Sequence, residues 1–286
     1  MNIPIQDGLL QIFYVDHGQC ALLTLPSPSG LRYVLIDCGH AVDFRGQPWY
    51  PGHHLQSIGV TNLDLFIITN FDEDHASGFA DLRLRGITIG CILGNPSVAP
   101  DAVARLKSES GVGPGIHALI DTMALRRKAG HAEVVPDLPG LGLTWAWNPY
   151  PFFEDENNLS LIVNLRIHGW NFLFTGDMEK AGWLNLLTTN ASFRSLVQHV
   201  HVLNAAHHGR ESGRCKELFE LYGCSPKLIL ISDDYKQYNS QETTTYYSSR
   251  ASGIAWFRSS GPRSVLTTRK DGEILFSFRN GGFLVW

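Results

Sequence analysis

The chain has 286 residues, is 44% hydrophobic and carries a net charge of −4, ordinary values for a globular protein with one large core or two small ones. No apolar run approaches the roughly 20 residues of a membrane helix, Met1-Asn2-Ile3-Pro4 lacks the basic start and apolar stretch of a signal peptide, and no Lys/Arg-rich tract speaks for tight nonspecific binding to duplex nucleic acid. Five scattered cysteines, Cys20, Cys38, Cys91, Cys215 and Cys224, form no C-x-x-C pair and are expected to be reduced thiols in a cytoplasmic protein.

Short β-branched or aromatic runs bounded by Gly, Pro, Asn or Asp predict strands in chain order. They are Leu9–Val15, Ala21–Leu25, Tyr33–Ile36, Leu65–Thr69, Thr88–Leu93, Leu141–Trp147, Leu159–Ile167 and Asn171–Phe174, then Val200–Ala205, Leu228–Ile231, Val265–Thr268 and Ile274–Phe278. The nearly continuous apolar run Leu65–Thr69 is expected to be a central strand buried on both faces. One helix opens at Pro100-Asp101 and closes at Gly111, and a second runs from about Glu179 to Leu187. A third puts Cys215, Leu218, Phe219 and Tyr222 on one face before Gly223. With no repeat, low-complexity segment or dividing linker, residues 1–286 read as a single mixed α/β domain.

Chemistry-bearing residues collect just past apolar strands. Asn70-Phe71-Asp72-Glu73-Asp74-His75 follows the strand ending at Thr69, Gly176-Asp177 follows Phe172-Leu173-Phe174-Thr175, and His207-His208-Gly209 follows Val202–Ala206. Asp and His side chains this close repel or protonate unless a cation neutralises them. Taken alone, Asp72 and Asp74 are equally well read as solvated acids capping the helix that starts near Ala76-Ser77-Gly78. Three strand ends of this kind together point to a metal-dependent hydrolase. Residues 1–204 carry 12 Lys+Arg and 19 Asp+Glu, residues 205–286 carry 11 and 8. The basic part is thus suited to face an anionic substrate, although uneven surface charge explains the difference equally well.

In this order the motifs resemble the metallo-β-lactamase superfamily, and within it the ComEC-type branch, the nuclease part of competence proteins. Tyr33-Val34-Leu35-Ile36-Asp37-Cys38-Gly39 matches that branch's strand ending in Asp-x-Gly. Leu55–Val60 and Leu63–Thr69 match its approach to the metal loop, Asn158–Val163 and Phe172–Asp177 its middle strands, and Val202–Gly209 its last metal motif. The resemblance spans roughly residues 10 to 280. It implies an αββα sandwich with two mixed sheets face to face and helices outside. It also implies one or two divalent ions, Zn²⁺ or Mn²⁺, and a phosphoester or nucleic-acid substrate. Asp74, His75 and His207 would ligate one metal, Asp177 would bridge to a second, and Asn70 and Asp72 would help hold that second ion. His208 takes the place of His207 if the register of the last motif is shifted by one. Asp37 would orient the metal loop from behind the ligands.

Three departures set this chain apart. The family's usual His at position 70 is Asn70, its Gly-Gln-Gly-Asp reads Gly18-Gln19-Cys20-Ala21, and the His-Pro step expected near Tyr238–Thr243 is missing. The first metal site therefore reads as sound and the second as poor. His53-His54 is expected on a loop near the metal entrance, and His117 and His131 are the candidates for the superfamily's middle His ligand but read better as exposed surface. His168 reads as a hairpin residue, His199 and His201 as packing on alternate faces of a strand, and His17 is a candidate substrate neighbour. Glu154-Asp155-Glu156 reads as a solvated loop. A bound cation lowers the pKa of its water towards about 7. Asp72 or Asp74 would hold or deprotonate that water, while His208 and Arg210 are candidate contacts for the substrate's anionic group. The expected function is a metal-dependent phosphodiesterase or nuclease. The alternatives are a lactone or thioester hydrolase, or a non-catalytic binding module built on a degenerate site; the departures at Asn70 and His-Pro motivate the last.

Overall fold

Side-chain alternation along the strands sorts the core into three layers in the computed structural model, which describes residues 5–44, 46–107, 111–234, 242–255 and 258–286. The first sheet has seven strands, in spatial order Gly282–Val285, Ile274–Arg279, Gly8–Ile12, Cys20–Ser27, Gly30–Cys38, Asn62–Ile67 and Thr88–Leu93. The second has six, in order Val265–Thr267, Leu228–Ile231, Val202–Asn204, Trp170–Phe174, Leu161–Ile167 and Leu141–Trp147. Both sheets mix parallel and antiparallel pairs.

Alternate residues of each strand point inward and outward. Leu10, Ile12, Val34, Ile36, Leu65 and Ile67 of the first sheet meet Val163, Leu165, Phe172, Phe174, Leu228 and Leu230 of the second in one inner cluster. The intervening residues Leu22, Leu35 and Phe66 pack beneath the helices of residues 51–57, 79–84, 100–106 and 114–128. On the far side, Ile162, Leu173, Leu203 and Ile229 pack beneath the helices of residues 180–189, 191–197 and 216–220. The architecture is therefore an αββα sandwich, as expected.

Phe172 joins the two sheets: its ring lies 5.1 Å from Phe276 and 5.6 Å from Phe278, both edge-on. At 1% exposure it has no room to relax. Phe172→Ala is expected to cost about 3–5 kcal/mol through lost burial and a cavity between the sheets. A denaturant melt checks this, and a loss below about 1 kcal/mol would mean the sheets do not rest on this ring.

Boundaries moved where loops rather than strands carry the polar residues. Leu65–Thr69 is observed as Asn62–Ile67, an inner strand running parallel to both neighbours, with Ile68 to Asn70 already buried loop. The expected Leu159–Ile167 starts at Leu161 because Asn158 to Ser160 turn back towards the site. The helix from Pro100 is observed to Leu106, and residues 108–110 of its expected span lie outside the described residues. Pro114–Lys128 was not anticipated as a helix. Its signals are Pro114 in the first turn and the carboxylate of Glu73, which accepts from Gly115 N and Ile116 N at 2.8 and 3.0 Å. All five cysteines are buried and free.

Candidate metal centre

Every group of the centre sits at the carboxyl end of a strand. Gly30–Cys38 delivers Asp37, Asn62–Ile67 delivers the loop to His75, Trp170–Phe174 delivers Asp177, and Val202–Asn204 delivers the His207-His208 pair. Close backbone approach makes this possible. A Cβ on Gly39 would lie 2.5 Å from the Asp74 carbonyl oxygen. Gly176 turns at φ +53, where a Cβ would meet Thr69 O and Ser160 Oγ at 2.9 Å.

Asp74, His75, Asp177 and His208 converge: each offers one ligand atom, and these atoms all lie within 4.8 Å of one another. His75 Nε2 is 3.0 Å from Asp177 Oδ1, and His208 Nε2 is 2.9 Å from Asp74 Oδ2 and 3.6 Å from Asp177 Oδ2. The opposite ring nitrogens are already taken. His75 Nδ1 lies 3.0 Å from Asp37 Oδ2 and His208 Nδ1 lies 2.8 Å from the Ser232 carbonyl. An acceptor at each Nδ1 fixes the tautomer and leaves both Nε2 lone pairs aimed inward. Asp37 is itself held by the Thr69 backbone N–H at 2.7 Å and the Thr69 hydroxyl at 2.6 Å. His208 Nε2, although near Asp74, is buried without a properly directed hydrogen bond. Two buried imidazole nitrogens and two carboxylates facing one point fit a divalent cation.

Without a cation these groups titrate against each other. Burial alone would lower the His75 pKa, but the Asp177, Asp37 and Asp74 carboxylates hold it well above 6.5. His208 is pushed up to about 10: the Asp177 and Asp74 carboxylates outweigh burial. Burial would raise Asp177, but His208 and His75 hold it well below the usual carboxylate range, and Asp74 is lowered in the same way.

His207, expected as a ligand, points elsewhere. Its Nδ1 lies 3.2 Å from Glu179 Oε1 and 2.8 Å from Ser212 Oγ, and its Nε2 is 3.9 Å from Asp177 Oδ2. Both histidines have positive φ of 52°, and this left-handed step rotates His208, not His207, into the cluster. His208, expected first as a substrate contact, thus stands in the cluster where His207 was expected. Asn70 and Asp72 do not join either. The Asn70 amide nitrogen donates to Asn157 Oδ1 at 3.0 Å, leaving Asn70 Oδ1 buried without a partner. Asp72 caps the next helix through Glu73 N at 2.8 Å and pairs with Lys107 Nζ at 3.0 Å. For Asp72, then, helix capping describes the geometry better than ligation. Glu156, expected in a solvated run, is the other partner of Lys107 at 2.6 Å, and Asp155 caps Asn158 N at 2.7 Å.

Above the cluster lies a cation that has no carboxylate partner among the described residues. Arg210 Nη2 donates to His17 Nε2 at 2.5 Å, Nη1 lies 3.3 Å from His207 Nε2, and Nε is buried without a partner. The His17 ring lies 4.6 Å from the His208 ring, tilted at 44° to it. Burial, with His208 and Arg210 nearby, lowers its pKa to about 4, so its neutral ring can accept from the guanidinium. The other histidines stay apart: His54 packs on Phe13, His117 pairs with Asp121, His131 contacts Arg126, and His201 Nδ1 accepts from Asn171 N. Of the expected His-Pro region, residues 238–241 lie outside the described residues, while Thr243 donates its hydroxyl proton to the Gly209 carbonyl.

The facing mixed sheets, outer helices and Asp/His strand ends define the metallo-β-lactamase fold. ComE operon protein 3 of Bacillus subtilis (strain 168) is 23% identical over 294 residues, covering 96% of this chain but 34% of that protein. The chain therefore spans about a third of the length of its curated relative. CmlA, a diiron β-hydroxylase from Streptomyces venezuelae, aligns with a TM-score of 0.51 at 12% identity, covering 97% of this chain and 55% of CmlA. The Rm3 metallo-β-lactamase aligns over 69% of this chain and 77% of its own at a TM-score of 0.36 and 16% identity. No protein-family model matches the chain. Among the described residues, no helix is long and apolar enough to cross a membrane.

Proposed function

We propose that the protein is a metal-dependent hydrolase acting on a phosphoester, with a nucleic acid as the favoured substrate. The observation that carries this reading is the pair of imidazoles with their Nδ1 atoms already engaged, whose Nε2 atoms face Asp74 and Asp177. Asp74, His75, Asp177 and His208 would hold a divalent ion, Zn²⁺ through the imidazoles or Mn²⁺ through the carboxylates. When bound, such an ion acidifies water and polarises a phosphoryl oxygen. Asp37 and the Ser232 carbonyl keep the two rings oriented. Asp74, whose side chain remains 32% exposed, is the carboxylate of the cluster that solvent reaches and so the one beside which a water would be held. Asp72, the other carboxylate expected in this role, is committed to Lys107 and the helix cap.

The phosphoester assignment is supported by the resemblance to the competence nuclease branch and by Arg210, a guanidinium held, among the described residues, by imidazoles rather than by an acid. Such a group retains its charge for a ligand. Arg210→Ala is expected to raise KM for a phosphodiester by roughly 10- to 150-fold, the equivalent of one hydrogen bond to a charged group, with a smaller change in kcat. Steady-state kinetics with bis(4-nitrophenyl) phosphate check this. An unchanged KM would remove Arg210 from substrate binding.

The hydrolase reading itself is tested by metal analysis and turnover of the purified protein. Copurifying or readily bound Zn²⁺ or Mn²⁺, with phosphodiesterase turnover lost to a chelator and restored by metal, is the expected result. Failure to bind either metal would favour a binding module, the reading that Asn70 and the Lys107-paired Asp72 motivate.

A further inference from the structure

We propose that this chain's centre takes a single divalent ion, and that the ammonium of Lys107 supplies the positive charge that a second ion would bring. The inference rests on the metal-dependent reading above and concerns the neighbouring position, where the sequence resemblance puts Asn70 and Asp72 around a second cation.

Three features oppose a second ion there. Asp72 Oδ1 is already occupied twice, by Glu73 N at 2.8 Å and by Lys107 Nζ at 3.0 Å. The lysine is held in place: its side chain is 4% exposed and its Nζ lies 2.6 Å from Glu156 Oε1. A buried ammonium so placed is kept charged by its two carboxylates. A divalent ion ligated by Asp72, whose side chain is 42% exposed, would stand next to that buried charge and be repelled by it. Asn70 offers only its orphaned Oδ1, because its nitrogen is tied to Asn157, whose own Nδ2 lies 3.4 Å from Glu179 Oε1. Beyond a shared Asp177, one amide oxygen and a carboxylate already paired with an ammonium are a poor donor set beside the two carboxylates and two imidazoles of the first position.

Lys107 comes from the turn after the helix Pro100–Leu106, and Glu156 from the loop before the strand Leu161–Ile167. Two separate segments thus hold the ammonium against Asp72. A surface lysine paired by chance would keep much of its side chain in water; this one does not. The orphaned Asn70 oxygen can still serve as a hydrogen-bond acceptor at the rim of the centre without binding metal.

Metal stoichiometry decides between the two arrangements. Chelator-treated protein is titrated with Mn²⁺ and, separately, Zn²⁺, and bound metal is measured by calorimetry and elemental analysis for wild type, Asn70→His, Asn70→His/Lys107→Met and Asn70→His/Lys107→Gln. Wild type and Asn70→His are expected to saturate at about one equivalent per chain, because the new imidazole does not displace the ammonium. Removing the ammonium as well is expected to raise saturation to about two, the count of a two-metal site. Circular dichroism shows whether the double variants fold, and the two lysine replacements differ in polarity so that one packing failure does not decide the outcome. Two equivalents in wild type or in Asn70→His alone would overturn the proposal. So would one equivalent in folded double variants, since Lys107 would then not be what excludes the second ion. No bound metal in wild type would instead remove the hydrolase reading on which the proposal stands, a result distinct from a count of two.

Discussion

Asp177→Ala is expected to lower metal affinity and turnover by more than about 100-fold, beyond the range caused by losing a group that merely orients a ligand. Among the described residues, Asp177 is the carboxylate that pairs with both inward-facing imidazoles, at 3.0 Å from His75 Nε2 and 3.6 Å from His208 Nε2. Its removal leaves two nitrogens and Asp74 around the point and withdraws half of the negative charge that offsets a divalent ion. His208→Ala should be comparably damaging, because His208 Nε2 is the second inward imidazole. His207→Ala should retain most of the metal, since His207 is engaged with Glu179 and Ser212 rather than with the cluster. Metal content and phosphodiesterase turnover of the three variants measured side by side provide the check. If His207→Ala loses metal as completely as His208→Ala, the side-chain assignment at the last motif is reversed.

Metal affinity is expected to rise steeply with pH across the window between 6.5 and about 10 set by His208. In the metal-free protein His208 and His75 are held protonated by the surrounding carboxylates, and a cation must displace those protons. Each proton released per ion makes the apparent affinity climb by up to about tenfold per pH unit while that group remains protonated. The stability of the metal-free protein moves the opposite way. A folded pKa raised above its unfolded value contributes stability that is complete below 6.5 and is lost as pH rises through about 10. The depressed Asp177 and Asp74 contribute stability that is present above the usual carboxylate range and is lost as pH falls through their lower folded values. Metal-free protein should therefore melt at progressively lower temperature towards alkaline pH, while metal-loaded protein resists that decline. Thermal melts with and without Mn²⁺, together with chelator competition across the same window, read both effects. An affinity independent of pH would show that the two imidazoles are not the groups displaced.

Much of this architecture was legible from residue order because its signals are local. Short apolar and aromatic runs such as Leu9–Val15 or Asn171–Phe174 announce a strand wherever the rest of the chain lies. Acids and histidines at successive strand ends were enough to expect a cation. The fifteen-residue helix Pro114–Lys128 was missed because most of its surface is solvated and its apolar periodicity is weak. Its capping carboxylate, Glu73, stands far earlier in the chain.

What the amino-acid order determined by itself is which donors this protein owns and that strand ends present them: Asp37, Asp74, His75, Asp177 and a His-His pair. Which of the paired histidines turns inward was decided by two successive left-handed backbone steps, at His207 and His208, and such steps are set by packing rather than by side-chain identity. The fate of Asp72 was decided by Lys107 and Glu156, and the placement of Arg210 by His17, 193 positions away. These are contacts between segments that only the stacking of the two sheets brings together. A carboxylate becomes a metal ligand, a helix cap or an ion-pair partner according to what the fold puts within about 3 Å of it, and no spacing along the chain records that distance.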